Sequence, residues 1–237
     1  MTNQERVPSG IAGLDKCIGS GFEKNSSVLV CGGGGSGKTI FGVQFLMEGI
    51  AKHNEVGIYI SFEENKEKFF RHMKGFGWDL KTLNDQHKFI FVKYSPQEIL
   101  KIVKEGGEEI GKLTKDINAK RIVIDSLSAY TVLFDTEAKQ REMLVALFEM
   151  IAGWDATCIV IAEEDQYPER HKSSIMGFMA DAIILLYSIM KSSTTTIRAM
   201  QIFKMRGTKH SLNIFPFDMT DKGIVVHPEQ EVYEIGK

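Results

Sequence analysis

Residues 28–42 read VLVCGGGGSGKTIFG, and Gly32, Gly37, Lys38 and Thr39 within them fill the pattern G-x-x-x-x-G-K-[ST]. The chemistry served by that pattern is the grip on a row of phosphates. Glycine costs conformational entropy on folding, so a run of four needs a reason. Here the reason is close approach: the backbone N–H groups of Gly33, Gly34, Gly35, Ser36 and Gly37 can face phosphate oxygens directly. A helix that opens at Lys38, Thr39 and Ile40 adds the partial positive charge of its N-terminus. Lys38 reaches the β- and γ-phosphates, and the Thr39 hydroxyl is a ligand for Mg²⁺. A flexible linker would explain glycines alone, but not the lysine and threonine between an apolar run and a helical pattern.

A phosphate-bound cation needs a second oxygen donor. The segment RIVIDS supplies Asp125 after a buried strand pattern, at the carboxyl end where open α/β sheets place ligands. It would hold the metal through water, the plainer alternative being a cap for the segment that follows. The segment IYISFEEN ends another strand pattern on Glu63 and Glu64. Adjacent carboxylates disfavour one another's ionisation unless a cation or water intervenes, so one of them is a candidate to polarise an attacking water. The competing reading is a solvated loop before the helix that starts near Asn65.

The elements that carry these residues follow from periodicity. Strands are expected at SSVLVC, VGIYISF, KFIFVKY, AKRIVIDSLS, ATCIVIAEED and MADAIILLYS. Helices are expected at KTIFGVQFLMEGIAKH, NKEKFFRHMKGFG and DTEAKQREMLVALFEMIAGW, with one long helix over SPQEILKIVKEGGEEIGKLTKD opening at a Ser-Pro cap. The tail, TTIRAMQIFKMRG and SLNIFPFDMTDKGIVVHP, reads as strands without a long helix, and 191–198 as a hairpin loop. Strand–helix alternation implies a parallel sheet covered on both faces. The expectation is one α/β domain over 1–237, mostly parallel, with antiparallel strands at its C-terminal edge.

Composition narrows the function classes. Of 237 residues, 43% are hydrophobic and 25% charged, which suffices for a full core. A formal net charge of -2 gives no support to a dedicated nucleic-acid binder. Lys101, Lys104, Lys112 and Lys115 alternate with Glu105, Glu108 and Glu109, the pattern of a solvated helix face rather than a DNA track. Met143, Met150, Met176 and Met179 read as core. The first ten residues are polar, and the apolar run Ala182–Met190 is far shorter than the ~20 residues of a membrane span. Three scattered cysteines, Cys17, Cys31 and Cys158, lack ligand spacing and fit a reducing cytoplasm. No membrane association is expected, nor any metal beyond Mg²⁺.

In its ordered blocks the chain resembles the KaiC-like branch of the RecA-superfamily ATPases. GIAGLDKCIGSGFEKNSSVLVCGGGGSGKT is similar to the opening of that branch, and SFEE, VIDSLS, DAIILLY and FKMRGTKHS follow in order from about Pro8 to Pro228. The resemblance implies a RecA-like P-loop fold, ATP and Mg²⁺ as cofactors, Glu63 as general base with Glu64 beside it, and Asp125 as the acid of the metal site. It implies a homo-hexameric ring with sites at subunit interfaces, where Lys204, Arg206 and His210 of KMRGTKH reach a neighbour's nucleotide. Arg206 is the finger candidate because its planar fork grips two oxygens. Asp221 in TDKG matches a further position that touches nucleotide across the interface. Read alone, KMRGTKH is a basic hairpin turn. Two-domain clock members phosphorylate themselves at an adjacent Ser-Thr pair; Gly177 and Phe178 stand at that place here, with Ser173 and Ser174 a few residues earlier, so autokinase activity is not expected. The functional expectation is a regulatory ATPase with an unidentified protein client. The alternatives are an ATP-dependent assembly switch with negligible turnover and a DNA-dependent RecA paralogue.

Overall fold

A computed structural model describes residues 5–164, 175–192, 194–230 and 232. Two short strands, β1 (Arg6–Val7) and β2 (Phe22–Glu23), pair with each other at the entry. β3 (Ser27–Gly32) runs through the glycine loop into α1 (Lys38–His53). β4 (Val56–Ser61) leads to α2 (Lys66–Met73) and α3 (Leu80–Asp85), and β5 (Phe89–Lys93) to α4 (Pro96–Lys104) and α5 (Glu108–Asp116). β6 (Ala119–Asp125) leads to α6 (Leu127–Thr131) and α7 (Glu137–Ala152), and β7 (Thr157–Glu163) precedes α8 (Ile175–Met179). Four strands then follow in succession: β8 (Ala182–Ser192), β9 (Thr195–Met205), β10 (Ile214–Thr220) and β11 (Gly223–Val226).

β3 to β11 form one sheet in the order β11-β10-β9-β8-β3-β7-β6-β4-β5. The six strands from β8 to β5 are parallel, and β9, β10 and β11 continue the sheet antiparallel. The mostly parallel sheet with an antiparallel C-terminal edge is the expected architecture. Alternate residues of each strand feed two cores. Val28 and Val30 pack with Phe41, Phe45 and Leu46 of α1, whereas Leu29 and Cys31 pack with the α4, α6 and α7 side. A strand buried on both faces reads as an unbroken apolar run, and all six residues of β3 are buried.

The expected long helix over Ser95–Asp116 is two helices. Its start is as expected: Ser95 and Glu98 form a reciprocal capping box with Pro96 in the first turn. Its middle is not, because Gly106 and Gly107 take φ of +83° and +74°. Those left-handed angles end α4 and reopen the chain as α5. The helix α3 was not expected from the sequence either; six residues give too short a period to register. The hairpin at 191–198 is tighter than read, with β8 ending at Ser192 and β9 starting at Thr195. Ser173 and Ser174 lie outside the described residues, and Gly177 and Phe178 fall in α8. Met143 and Met150 are core residues and Met179 packs against that core. No helix among the described residues is long and apolar enough to cross a membrane.

Candidate active site

β3 ends at Gly32, β4 at Ser61, β6 at Asp125 and β7 at Glu163, and register pairs Gly32 with Glu163 and Ser61 with Asp125. The carboxyl ends of an open parallel sheet are where ligands lodge. A cleft of 490 Å³ lies there, lined by Lys38, Thr39, Tyr59, Glu63, Asp125 and Glu163 among others.

The glycine loop is closed down on itself. A Cβ at Gly32 would stand 2.5 Å from Ser36 Oγ and 2.7 Å from the Leu186 carbonyl oxygen. Gly37, immediately before α1, takes φ of +100°. No side chain fits at the first, and a side chain at the second would be strained. Lys38 Nζ donates to the carbonyl oxygens of Gly32 at 2.9 Å and Gly33 at 2.8 Å, which holds its charge at the mouth of the loop. Ser36 Oγ is buried with no hydrogen-bond partner among the described residues. A buried hydroxyl left unpaired is costly, and a phosphate oxygen is the kind of partner that would complete it.

Thr39 Oγ1 donates to Asp125 Oδ2 at 2.8 Å, across from the first turn of α1 to the end of β6. The Tyr59 hydroxyl donates to the same oxygen. Burial pushes the Asp125 carboxyl up, while hydrogen bonds from Tyr59 and Thr39 and the charge of Lys38 oppose that rise; it remains above the ordinary carboxylate value. Burial, then the neighbouring Asp125 charge, raises the Tyr59 phenol well above its usual range, so it is a donor at neutral pH. The Asp125–Ser126 peptide is cis. Paired hydroxyl and carboxylate oxygens suit a hard cation that prefers oxygen ligands. With the glycine cradle and the orphaned Ser36 hydroxyl, the residues present fit a magnesium-bound polyphosphate.

Glu63 and Glu64 differ in their surroundings. Glu64 Oε1 lies 3.2 Å from His72 Nδ1 and 3.7 Å from Lys68 Nζ, both on α2, while its backbone N–H donates to Ser61 Oγ at 3.0 Å. Glu63 is exposed at the cleft, with no hydrogen bond or ion pair among the described residues. The structure brings Lys38, Thr39, Asp125, Glu63 and Glu64 into one cleft.

It does not bring Lys204, Arg206 or His210 there. β9 lies antiparallel beside β8, with Met205 opposite Ala182, and Ala182 opposite Val28. Arg206 donates to the Phe178 carbonyl at 2.9 Å and lies 3.5 Å from Asp181 Oδ1, while Asp181 Oδ2 accepts from the backbone and hydroxyl of Ser27. Arg206 therefore sits by the start of β3, ~16 Å along the strand from the loop at its other end, at about 3.3 Å per residue. Lys204 Nζ donates to the carbonyls of Gly177 and Ala180 at 3.0 and 2.7 Å, and its pKa is lowered, first by burial and then by Arg206. His210 Nδ1 is 3.0 Å from the Ser211 carbonyl. Asp221 lies apart from these three, in the β10–β11 turn; Met219, near the end of β10, approaches Gly37 of the same chain.

Glu163 and Tyr59 are among the cleft residues missed in sequence, with Ser61, Lys68 and Ser126. Glu163 ends an apolar run, TCIVIAE, much as Asp125 ends RIVID, and that shared pattern was the signal available. Its Oε1 would stand 3.4 Å from a Cβ at Gly34. Tyr59 gave no such signal; an aromatic inside a strand pattern reads as core.

A family model described as the KaiC ATPase matches residues 7–231. A UPF0273 protein of Pyrococcus horikoshii is 34% identical over 239 residues, covering 95% of each chain. The circadian clock oscillator protein KaiC of a Prochlorococcus marinus strain is 32% identical over 94% of this chain, which spans 45% of that longer protein. Among solved structures, a KaiC-like protein from Pyrococcus horikoshii superposes with a TM-score of 0.83 at 33% identity, covering 95% of this chain and all of the other. The RecA-like fold, the closed glycine loop and these matches agree: the chain belongs to the KaiC ATPase family.

Proposed function

We propose that this protein is a Mg²⁺-dependent ATPase whose site is completed by a second copy of the chain in a homo-oligomeric ring. The observation that carries the catalytic part is the Thr39–Asp125 pair facing Lys38 across the glycine loop. In this reading the backbone from Gly33 to Ile40 and the Lys38 ammonium bind and orient the phosphates. Thr39 and Asp125 would hold Mg²⁺, which would supply charge neutralisation to the phosphates. Glu63 orients the attacking water and accepts its proton. Glu64, tied to His72 and Lys68, holds the loop that presents Glu63.

Support for the shared site comes from the place of Arg206 in the fold. Phosphoryl transfer gathers negative charge, and a preorganised cation at that point contributes strongly. Within one chain Arg206 lies at the opposite end of β3 from the loop. A partner subunit's Arg206, with the partner subunit's Lys204, would add positive charge there, as the family's ring arrangement implies; His210 and Asp221 are assigned to the same interface. The role served is regulatory, through a protein client. Phosphate release should require Mg²⁺ and vanish in Lys38→Ala and in the Glu63→Gln/Glu64→Gln double variant, the latter still retaining ATP. Light scattering should show ATP-dependent assembly for the wild type. Release that survives the double variant would overturn the assigned base, and a monomer under every condition would overturn the shared site.

A further inference from the structure

Tyr59 lies within β4, two residues before Ser61 and on the same face, and is 1% exposed. Packing accounts for its ring. Phe69 of α2 is 4.4 Å from it, centroid to centroid, and Phe91 of β5 lies at 5.9 Å with planes 8° apart. A phenylalanine would make those contacts equally well. They leave the hydroxyl unexplained, because a polar group buried in an aromatic cluster is costly without a partner.

The partner is Asp125 Oδ2, the oxygen that also accepts from Thr39. Oδ1 has no hydrogen-bond donor among the described residues. Thr39 and Asp125 are both claimed by the cation in the function proposed above. The phenol is no ligand in that reading, and its ring is packed against Phe69 of α2 and Phe91 of β5.

We propose that Tyr59 is a positioning residue that pins Asp125 Oδ2 and so presents Oδ1 to a metal-bound water, an inference resting on the ATP·Mg²⁺ reading of the cleft. The physical reason is orientational. A short carboxylate rotates freely about its last bond, and a rigid donor behind it removes that freedom before the metal arrives. Outer partners of this kind are worth about 10- to 100-fold in metal affinity.

The test uses Mn²⁺ as probe, with free Mn²⁺ followed by electron paramagnetic resonance as it is titrated into protein and ATP. Tyr59→Phe should bind Mn²⁺ about tenfold more weakly than wild type in the ATP complex. Its ATP retention in EDTA should be unchanged, and its turnover should recover at high Mg²⁺, raising the Mg²⁺ requirement more than it lowers kcat. In an Asp125→Ala background, Tyr59→Phe should have no further effect on Mn²⁺ binding, because the phenol acts through that carboxylate. If Thr39→Ala weakens Mn²⁺ binding while Tyr59→Phe does not, the role of Tyr59 is overturned and the ATP·Mg²⁺ site stands. Loss of ATP retention in EDTA by Tyr59→Phe would make the hydroxyl a structural group and overturn the proposal equally. A wild-type protein that binds no nucleotide would overturn both readings.

Discussion

Glu63 and Glu64 are neighbours in sequence, yet the structure gives them different surroundings. Glu64 is held by His72 and Lys68, while Glu63 stands exposed at the cleft without such ties. A general base contributes about 10²- to 10⁴-fold, so Glu63→Gln should lower kcat by that order, with ATP binding kept. Glu64→Gln should lower it less than about tenfold, the typical effect of loosening an orienting contact being below that of removing the base. Single-turnover phosphate release on both variants checks this, and the reverse order would move the base to Glu64. A second residue with a large expected effect lies away from the cleft. Arg121 is 1% exposed, donates to Glu55 at 2.6 Å and to the Pro8 and Phe45 carbonyls at 2.7 and 3.0 Å, and its guanidinium stands 4.6 Å from the Phe45 ring centre. Arg121→Ala would leave the part-buried Glu55 carboxylate and the Pro8 carbonyl without the guanidinium, and should cost about 3 kcal/mol, read from denaturant midpoints. In sequence Arg121 looks like one more stem in a strand. Charge inside an apolar run was the cue to its network, and spacing alone does not say what a buried guanidinium grips.

The elements divide into those with a long period and those without. α1 was legible to the residue because sixteen positions carry one apolar face, and its helix start coincides with the end of the glycine pattern. The α4–α5 segment was read as continuous because its apolar spacing persists across Gly106 and Gly107, and spacing is blind to the sign of φ. That break is testable. A Cβ at Gly106 meets nothing within 4 Å, so Gly106→Ala should cost only the left-handed penalty, about 1 kcal/mol. A Cβ at Gly107 would stand 2.2 Å from Met150 Cγ, so Gly107→Ala should be the more destabilising of the two. Gly75, with no positive φ and nothing within 4 Å, should tolerate alanine within about 0.5 kcal/mol. Thermal unfolding of the three variants ranks them; equal shifts would mean that Met150 gives way freely. The cleft divides along similar lines. Lys38, Thr39 and Asp125 were legible because a motif and a strand end announce them, whereas Tyr59 was not, since only the β4–β6 register brings its phenol to Asp125.

Two sets of cationic groups lie at opposite ends of β3. The phosphate loop leaves its carboxyl end, and Arg206 and Lys204 gather by its amino end, bound to carbonyls around α8. A cation and a phosphate site so arranged cannot meet within one chain without dismantling the sheet, but they can meet between chains stacked head to tail around a ring. A heterologous interface of that kind uses two different surfaces of each copy. Complementation between two inactive variants therefore separates a shared site from a self-contained one. Arg206→Ala keeps its phosphate loop and lacks the finger; Lys38→Ala keeps the finger and lacks the loop lysine. Each alone should release little phosphate. Mixed in equal amounts and reassembled with Mg²⁺ and ATP, they should regain turnover at about one quarter of the interfaces, those pairing an intact loop with an intact finger. Full activity of Arg206→Ala by itself, or mixed assemblies no more active than their parts, would contradict a site completed by a neighbouring copy.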